Sequence, residues 1–238
     1  MVLVKKYLSQ KFIILGLSLG LLLSACSTEP MESTEFVTTK ATANQGDADA
    51  QRILGTMYAE GEGVNQSYDK ALKWYLKAAD QGDAKAQFNI GILYSRGEGV
   101  SQNSTTAFEW YLKSAKQGIA ESQYNVGAMY AEGEGIDQDY IKARNWYLKS
   151  AKQDYAPAQF NLGYMYDEGK VVRQNYIKAR NWYLKSAEQD YAPAQFNLGV
   201  FYNEGLGVSQ NSIQAKEWFG KSCDNGDQDG CDQYRILN

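Results

Sequence analysis

The chain has 238 residues, 44% of them apolar and 22% charged, which suffices for one ordinary domain or one repeat array with its own core. It contains no histidine, and 28 acidic residues outnumber 24 basic ones. These counts exclude histidine-based acid–base catalysis and the common zinc hydrolase sites, and nothing in the charge favours nucleic acid as a partner.

Residues 1–25 carry Lys5, Lys6 and Lys11, then the apolar run FIILGLSLGLLL, then small residues. That order reads as a secretory signal, and the run is too short for an ordinary membrane span. The segment ends LLLSACST, which resembles the lipobox of bacterial lipoproteins, with Leu23, Ser24 and Ala25 ahead of Cys26. The resemblance implies cleavage before Cys26 and acylation of that residue, giving stable anchoring because several chains sit on one residue. Ser27 follows rather than an aspartate, and the sorting rule for enteric bacteria then implies an outer-membrane lipoprotein facing the periplasm. The mature chain would hold 21 basic and 28 acidic residues, a formal charge of −7. Residues 26–45 are rich in Ser, Thr and Glu and poor in large apolar groups, so a flexible tether is expected there.

From residue 46 the sequence repeats every 36 residues, giving units 46–81, 82–117, 118–153, 154–189 and 190–225. A period of this length signals a solenoid. All five tryptophans fall in one column, at Trp74, Trp110, Trp146, Trp182 and Trp218, and glutamine, glycine, tyrosine and alanine hold columns of their own. Apolar residues recur at steps of three and four, as in Ala86, Ile90, Leu93 and Tyr94, so each unit should hold two helices, A and B. Helix A is expected to open near Ala84, with Pro157 and Pro193 in its first turn. Ser67, Asn103, Asp139, Asn175 and Asn211 share the N-cap column of helix B. Gly82 and Gly118 follow helix B, and Asp154 and Asp190 take that place in units four and five as poorer caps. The mid-helix glycine of helix A, at 55, 91, 127, 163 and 199, is expected to admit a close crossing with the alanine column of helix B. AEGEGV at 59–64 reads as the A-to-B turn, and Val171, which replaces a glycine there, should send the fourth loop along another path.

The pattern AQFNIGILYSRGEGV followed by AFEWYLKSAKQG resembles the Sel1-like repeat, a relative of the tetratricopeptide repeat. The resemblance implies an all-α, right-handed α-solenoid of antiparallel helix pairs with the A helices on its concave side, and a role in protein binding. Residues 226–238 would be a capping half-repeat. There, the stretch KSCDNGDQDGCDQY places Cys223 at the end of the last helix B and Cys231 in the following glutamine column. Two helices joined by a tight turn bring such positions within disulfide reach, and zinc would need more ligands than two thiols. The same spacing resembles cysteine-rich Sel1-repeat proteins, some of them described as penicillin-binding or weakly β-lactamase-active.

Columns that stay uniform read as packing, so binding is expected where helix A is polar or varies. One face carries Asn89 and Ile92, Asn125 and Ala128, Asn161 and Tyr164, and Asn197 and Val200. The asparagine ladder resembles the inner-face asparagines with which tetratricopeptide domains hold a peptide backbone; equally, it can serve neighbouring helix groups. Phe88, Tyr124, Phe160 and Phe196 flank the ladder as core or as groove. SYDK at 67–70 has the Ser-x-x-Lys spacing of penicillin-binding enzymes, but Ser67 lies in the N-cap column and no partner motif occurs. The expectation is a membrane-anchored scaffold that binds a protein or peptide and is not an enzyme, with no metal and no cofactor. The alternatives are an immunity protein that neutralises a toxic effector delivered to the periplasm, and a weak β-lactamase.

Overall fold

The computed structural model describes residues 33–237; the signal segment, Cys26 and the first part of the expected tether lie outside them. Twelve helices and no strands occur among the described residues: α1 Thr34–Asn44, α2 Ala48–Glu60, α3 Tyr68–Asp80, α4 Ala84–Arg96, α5 Ser104–Lys116, α6 Ala120–Glu132, α7 Tyr140–Ala151, α8 Ala156–Asp167, α9 Tyr176–Ala187, α10 Ala192–Glu204, α11 Ser212–Asp224 and α12 Gln228–Ile236. Each packs on the helix before and after it in the chain, so the molecule is an all-α solenoid. Helix A of each repeat is α2, α4, α6, α8 or α10, and helix B is the helix that follows.

Helix starts are set by local chemistry. The side chains of Ser67, Asn103, Asp139, Asn175 and Asn211 all cap a helix B by accepting a backbone N–H from its first turn. Asp47 and Asp83 do the same for α2 and α4, whereas α8 and α10 have no side-chain cap and open with proline in the first turn. A glutamine ladder joins the repeats. Gln123 donates from its amide to the Ala115 carbonyl at 3.2 Å and accepts from Gln153 at 2.9 Å, and Gln195 similarly joins Ala187 and Asn225. These buried amides therefore have partners on both sides.

The mid-helix glycines do mark a close crossing with helix B, but the side chains nearest them come from an aromatic column, and of the alanines only the Ala143 backbone carbonyl is among the nearest contacts, at Gly127. A Cβ on Gly55, Gly91, Gly127 or Gly163 would lie 2.6–2.7 Å from a ring atom of Tyr75, Tyr111, Tyr147 or Tyr183, and one on Gly199 would lie 2.5 Å from Phe219. The alanine is too short to fill the gap between the helices; the flat ring reaches across it. The tryptophans sit half-buried, each with the lysine three residues on lying over its ring, at 3.8 Å for Lys77 on Trp74.

Two further expectations are corrected. The tether does not run unstructured to residue 45, because Thr34–Asn44 is α1. Ser33 caps it by accepting from the Phe36 N–H at 3.1 Å, and Phe36 is fully buried edge-on against Tyr58 at 5.4 Å. One aromatic and Ala43 are enough to dock the helix, while Glu35, Val37, Thr38 and Thr42 stay exposed. The fourth loop also keeps to the common path: Val171 has φ +53°, in the left-handed region where Gly63, Gly135 and Gly207 lie. A β-branched residue is strained there, so the fixed helix ends hold the loop against its own preference. Asp154 and Asp190 likewise adopt φ of 58° and 59°, and each accepts from a glutamine amide, Gln159 or Gln195.

The last two described helices are joined covalently. The disulfide Cys223–Cys231 ties α12 to α11, as the cysteine spacing predicts.

Candidate protein-binding face

The expected face lies on the A helices, and the structure divides its residues into two groups. Ile92, Ala128 and Val200 are half-buried, each resting against the apolar core with part of its surface free. Asn89 and Asn161 are also half-buried, but Asn125 is 9%, Asn197 2% and Tyr164 6% exposed. The asparagines lie against the phenol column of the preceding helix B. The hydroxyls of Tyr75, Tyr111, Tyr147 and Tyr183 face the side-chain amides of Asn89, Asn125, Asn161 and Asn197, whose N–H groups favour the phenolate. Burial outweighs that pull and pushes every one of these phenols up, Tyr111 to about 12. The ladder therefore serves neighbouring helix groups, and its free surface is confined to Asn89 and Asn161.

The flanking aromatics are core. Phe88, Tyr124, Phe160 and Phe196 each pack on the ring that fills the glycine gap, with centroids 5.5–5.8 Å apart. Beyond Ile92, Ala128 and Val200 runs an exposed column of charge, Glu60, Arg96, Glu132, Glu168 and Glu204, at the C-terminal ends of the A helices. Burial raises the carboxyl of Glu132, with Glu134 adding to the rise, and burial with Glu62 does the same at Glu60. Negative charge at helix C-termini is unfavourable, so this edge attracts cations.

Asp167, in the last turn of α8, escapes a column-by-column reading that looks only for uniformity. It is 6% exposed and accepts a hydrogen bond from the Tyr183 hydroxyl at 3.2 Å. Burial pushes its carboxyl up to about 6; the Tyr183 hydroxyl pulls it back, and Glu168 and Glu204 add to the rise. The sequence signal was a single acid in a column otherwise held by Ala59, Ser95, Ala131 and Asn203.

The Ser-x-x-Lys motif has a different role from catalysis. Ser67 Oγ accepts the Lys70 backbone N–H at 3.4 Å, and Lys70 Nζ lies over the Tyr58 ring at 5.3 Å. No cluster of side chains suited to a metal ion occurs among the described residues, and none of the described helices is long and apolar enough to cross a membrane.

Five antiparallel helix pairs with a buried ring against each mid-helix glycine define a tetratricopeptide-like solenoid. The chain belongs to the Sel1 repeat family, whose profile matches residues 48–83, 84–119, 120–155, 156–191 and 192–227. Those bounds begin at the first residue of each helix A, two residues after the units delimited above, with the same period. The structure is similar to that of a protective antigen of uropathogenic Escherichia coli strains that displays an SLR fold, with 36% identity and a TM-score of 0.80 over 84% of this chain and 43% of that one. It is similar to a Sel1 repeat protein from Oxalobacter formigenes at 30% identity and a TM-score of 0.78, over 85% of this chain and 59% of the other. The chain thus spans about half the length of these relatives. An immunity protein of Pseudomonas aeruginosa shares the fold at 20% identity and a TM-score of 0.53, over 84% of this chain and 76% of that one. No curated protein sequence matches the chain. Arrays of this family are typically protein-interaction scaffolds rather than enzymes.

Proposed function

We propose that the protein is a lipid-anchored periplasmic scaffold that binds a protein or peptide partner on the concave face formed by its A helices. The observation that carries this reading is the division of labour within the repeat. The uniform glycine, tyrosine and glutamine columns are engaged in packing, whereas the half-buried column of Ile92, Ala128 and Val200 changes from repeat to repeat, and in the charged column beyond it Arg96 stands among glutamates. A variable surface on a fixed frame is what selective recognition requires. The test is capture of a partner by the full chain beside the double variant Ala128→Lys with Val200→Lys. Loss of one defined partner in the variant supports the face, and unchanged capture refutes it.

Anchoring rests on the lipobox and Cys26 of the outer-membrane signal. Metabolic labelling with radioactive palmitate should mark the wild-type chain and leave Cys26→Ser unlabelled; label that survives the substitution removes the anchor. We read the array as non-catalytic, so a chromogenic β-lactam should show no turnover.

An immunity role is the second reading, favoured by the acidic edge Glu132, Glu168 and Glu204, which suits a basic effector. The Pseudomonas aeruginosa immunity protein of like fold lends it a precedent. A deletion strain would then lose viability only beside a rival that delivers the effector; sensitivity without the rival, or no sensitivity with it, argues for the general scaffold.

A further inference from the structure

Repeat four departs from its neighbours at Asp167, and the departure creates a polar constellation found in no other repeat. Asp167 in α8 accepts a hydrogen bond from the Tyr183 hydroxyl in α9, and Tyr183 is fully buried. The same hydroxyl faces the Asn197 side chain in α10. Asn197 is 2% exposed, and its Oδ1 has no hydrogen-bond partner. Tyr183 has one proton to give and gives it to Asp167, which leaves the buried amide oxygen without a donor. Such an orphan calls for an explanation in a native structure.

The surroundings say what kind of donor is missing. Glu168 and Glu204, both exposed, act on Asp167 from the rim. No ion pair to Asp167, Glu168 or Glu204 occurs among the described residues. Lys170, the nearest cation in sequence, is turned to the rings of Tyr164 at 5.1 Å and Tyr140 at 5.3 Å. The carboxylates do not converge in a way that suits a metal ion. An anionic side chain would meet acceptors and negative charge, and an apolar one would leave the orphan oxygen as it is.

We propose that Asp167, Tyr183 and Asn197 form an anchoring subsite of the helix-A face that takes a basic side chain, a lysine ammonium or an arginine guanidinium, from the bound partner. Several N–H groups on one cation give Asn197 Oδ1 its donor and Asp167 its counter-charge, a pairing stronger than a neutral hydrogen bond. The Asn197 amide lies below the surface, and lysine and arginine carry their charge on long stems, which suits an acceptor at that depth. The subsite rests on the partner-binding reading of this face and specifies its chemistry.

The test is a ligand-observed NMR titration of the full chain with three acetylated, amidated Gly-Ser peptides that carry one central arginine, lysine or glutamine. The arginine and lysine peptides should bind and the glutamine peptide should not. Asp167→Ala should weaken the basic peptides by about tenfold or more, and alanine at this column is already housed in repeats one and three, as Ala59 and Ala131. Binding by the wild-type chain should also be roughly tenfold weaker at pH 5 than at neutral pH, because Asp167, raised to about 6 by its burial and by Glu168 and Glu204, is then mostly protonated. Equal binding of all three peptides, or binding unchanged in a folded Asp167→Ala, overturns the subsite. A partner captured through Ala128 and Val200 yet indifferent to Asp167→Ala would leave the scaffold standing without it. A chain that captures nothing would remove the scaffold, and the peptide titration still decides the subsite.

Discussion

Gly127→Ala puts the packing account at risk, because on helix propensity alone the change should stabilise. Alanine in a helix interior is favoured over glycine by about 1 kcal/mol. Here the new methyl would lie 2.7 Å from Tyr147 Cδ1, 2.8 Å from Cε1 and 3.2 Å from the Ala143 carbonyl oxygen. Tyr147 is 3% exposed and packed on Tyr124, so the ring has nowhere to go without moving α7 off α6. Overpacking of this kind costs about 1–3 kcal/mol, and contact with backbone puts this site at the upper end. Set against the propensity gain, the net loss should be about 2 kcal/mol. Urea unfolding followed by circular dichroism measures it, beside Gly127→Ala with Tyr147→Leu, in which removal of the ring should recover part of the loss. Stabilisation by about 1 kcal/mol in the single variant would show that the ring does not fill the glycine gap.

Val171→Gly should raise stability by about 1 kcal/mol, since relief of a β-branched residue at φ +53° outweighs the added backbone entropy; an unchanged urea midpoint would count against the strain. Reduction of Cys223–Cys231 should cost about 2–3 kcal/mol and loosen α12 alone, seen as faster amide exchange over Gln228–Ile236 with α2 to α10 unaffected. Asp167 binds its proton more tightly folded than unfolded, its pKa raised from 3.8 to about 6 by burial, so the stability it lends is fully present below about pH 4 and is lost as pH rises through about 6. The melting temperature should therefore fall across that window in the wild-type chain and fall less in Asp167→Asn; parallel curves would contradict the assignment.

Much of the fold was legible because one pattern is written five times. The N-cap column, the proline starts and the turn glycines each predicted a helix end that the structure places within a residue or so. The glycine gap was legible as a gap, but its occupant was not. Alanine and tyrosine columns both lie on helix B, and one-dimensional periodicity does not say which side chain spans the distance. α1 was missed for a related reason: eleven residues with Phe36 and Ala43 as their only buried side chains look like linker by composition, and only the docking site on α2 makes a helix of them. The loop at Val171 shows tertiary structure overriding local preference. On the candidate face, the varying positions Ile92, Ala128 and Val200 were readable from their columns. The burial of Asn125, Asn197 and Tyr164 was not, because it depends on how closely neighbouring repeats stack.

The central claim is that recognition takes place on the helix-A face, and site-resolved photo-crosslinking in living cells tests it most directly. A photo-reactive residue would be placed singly at Ala128 and Val200 on α6 and α10, and at the exposed Lys113 and Lys149 on α5 and α7. The account predicts one and the same partner crosslinked from Ala128 and Val200 and none from Lys113 or Lys149. Crosslinks that arise from the two lysine positions, or from none of the four, would contradict it.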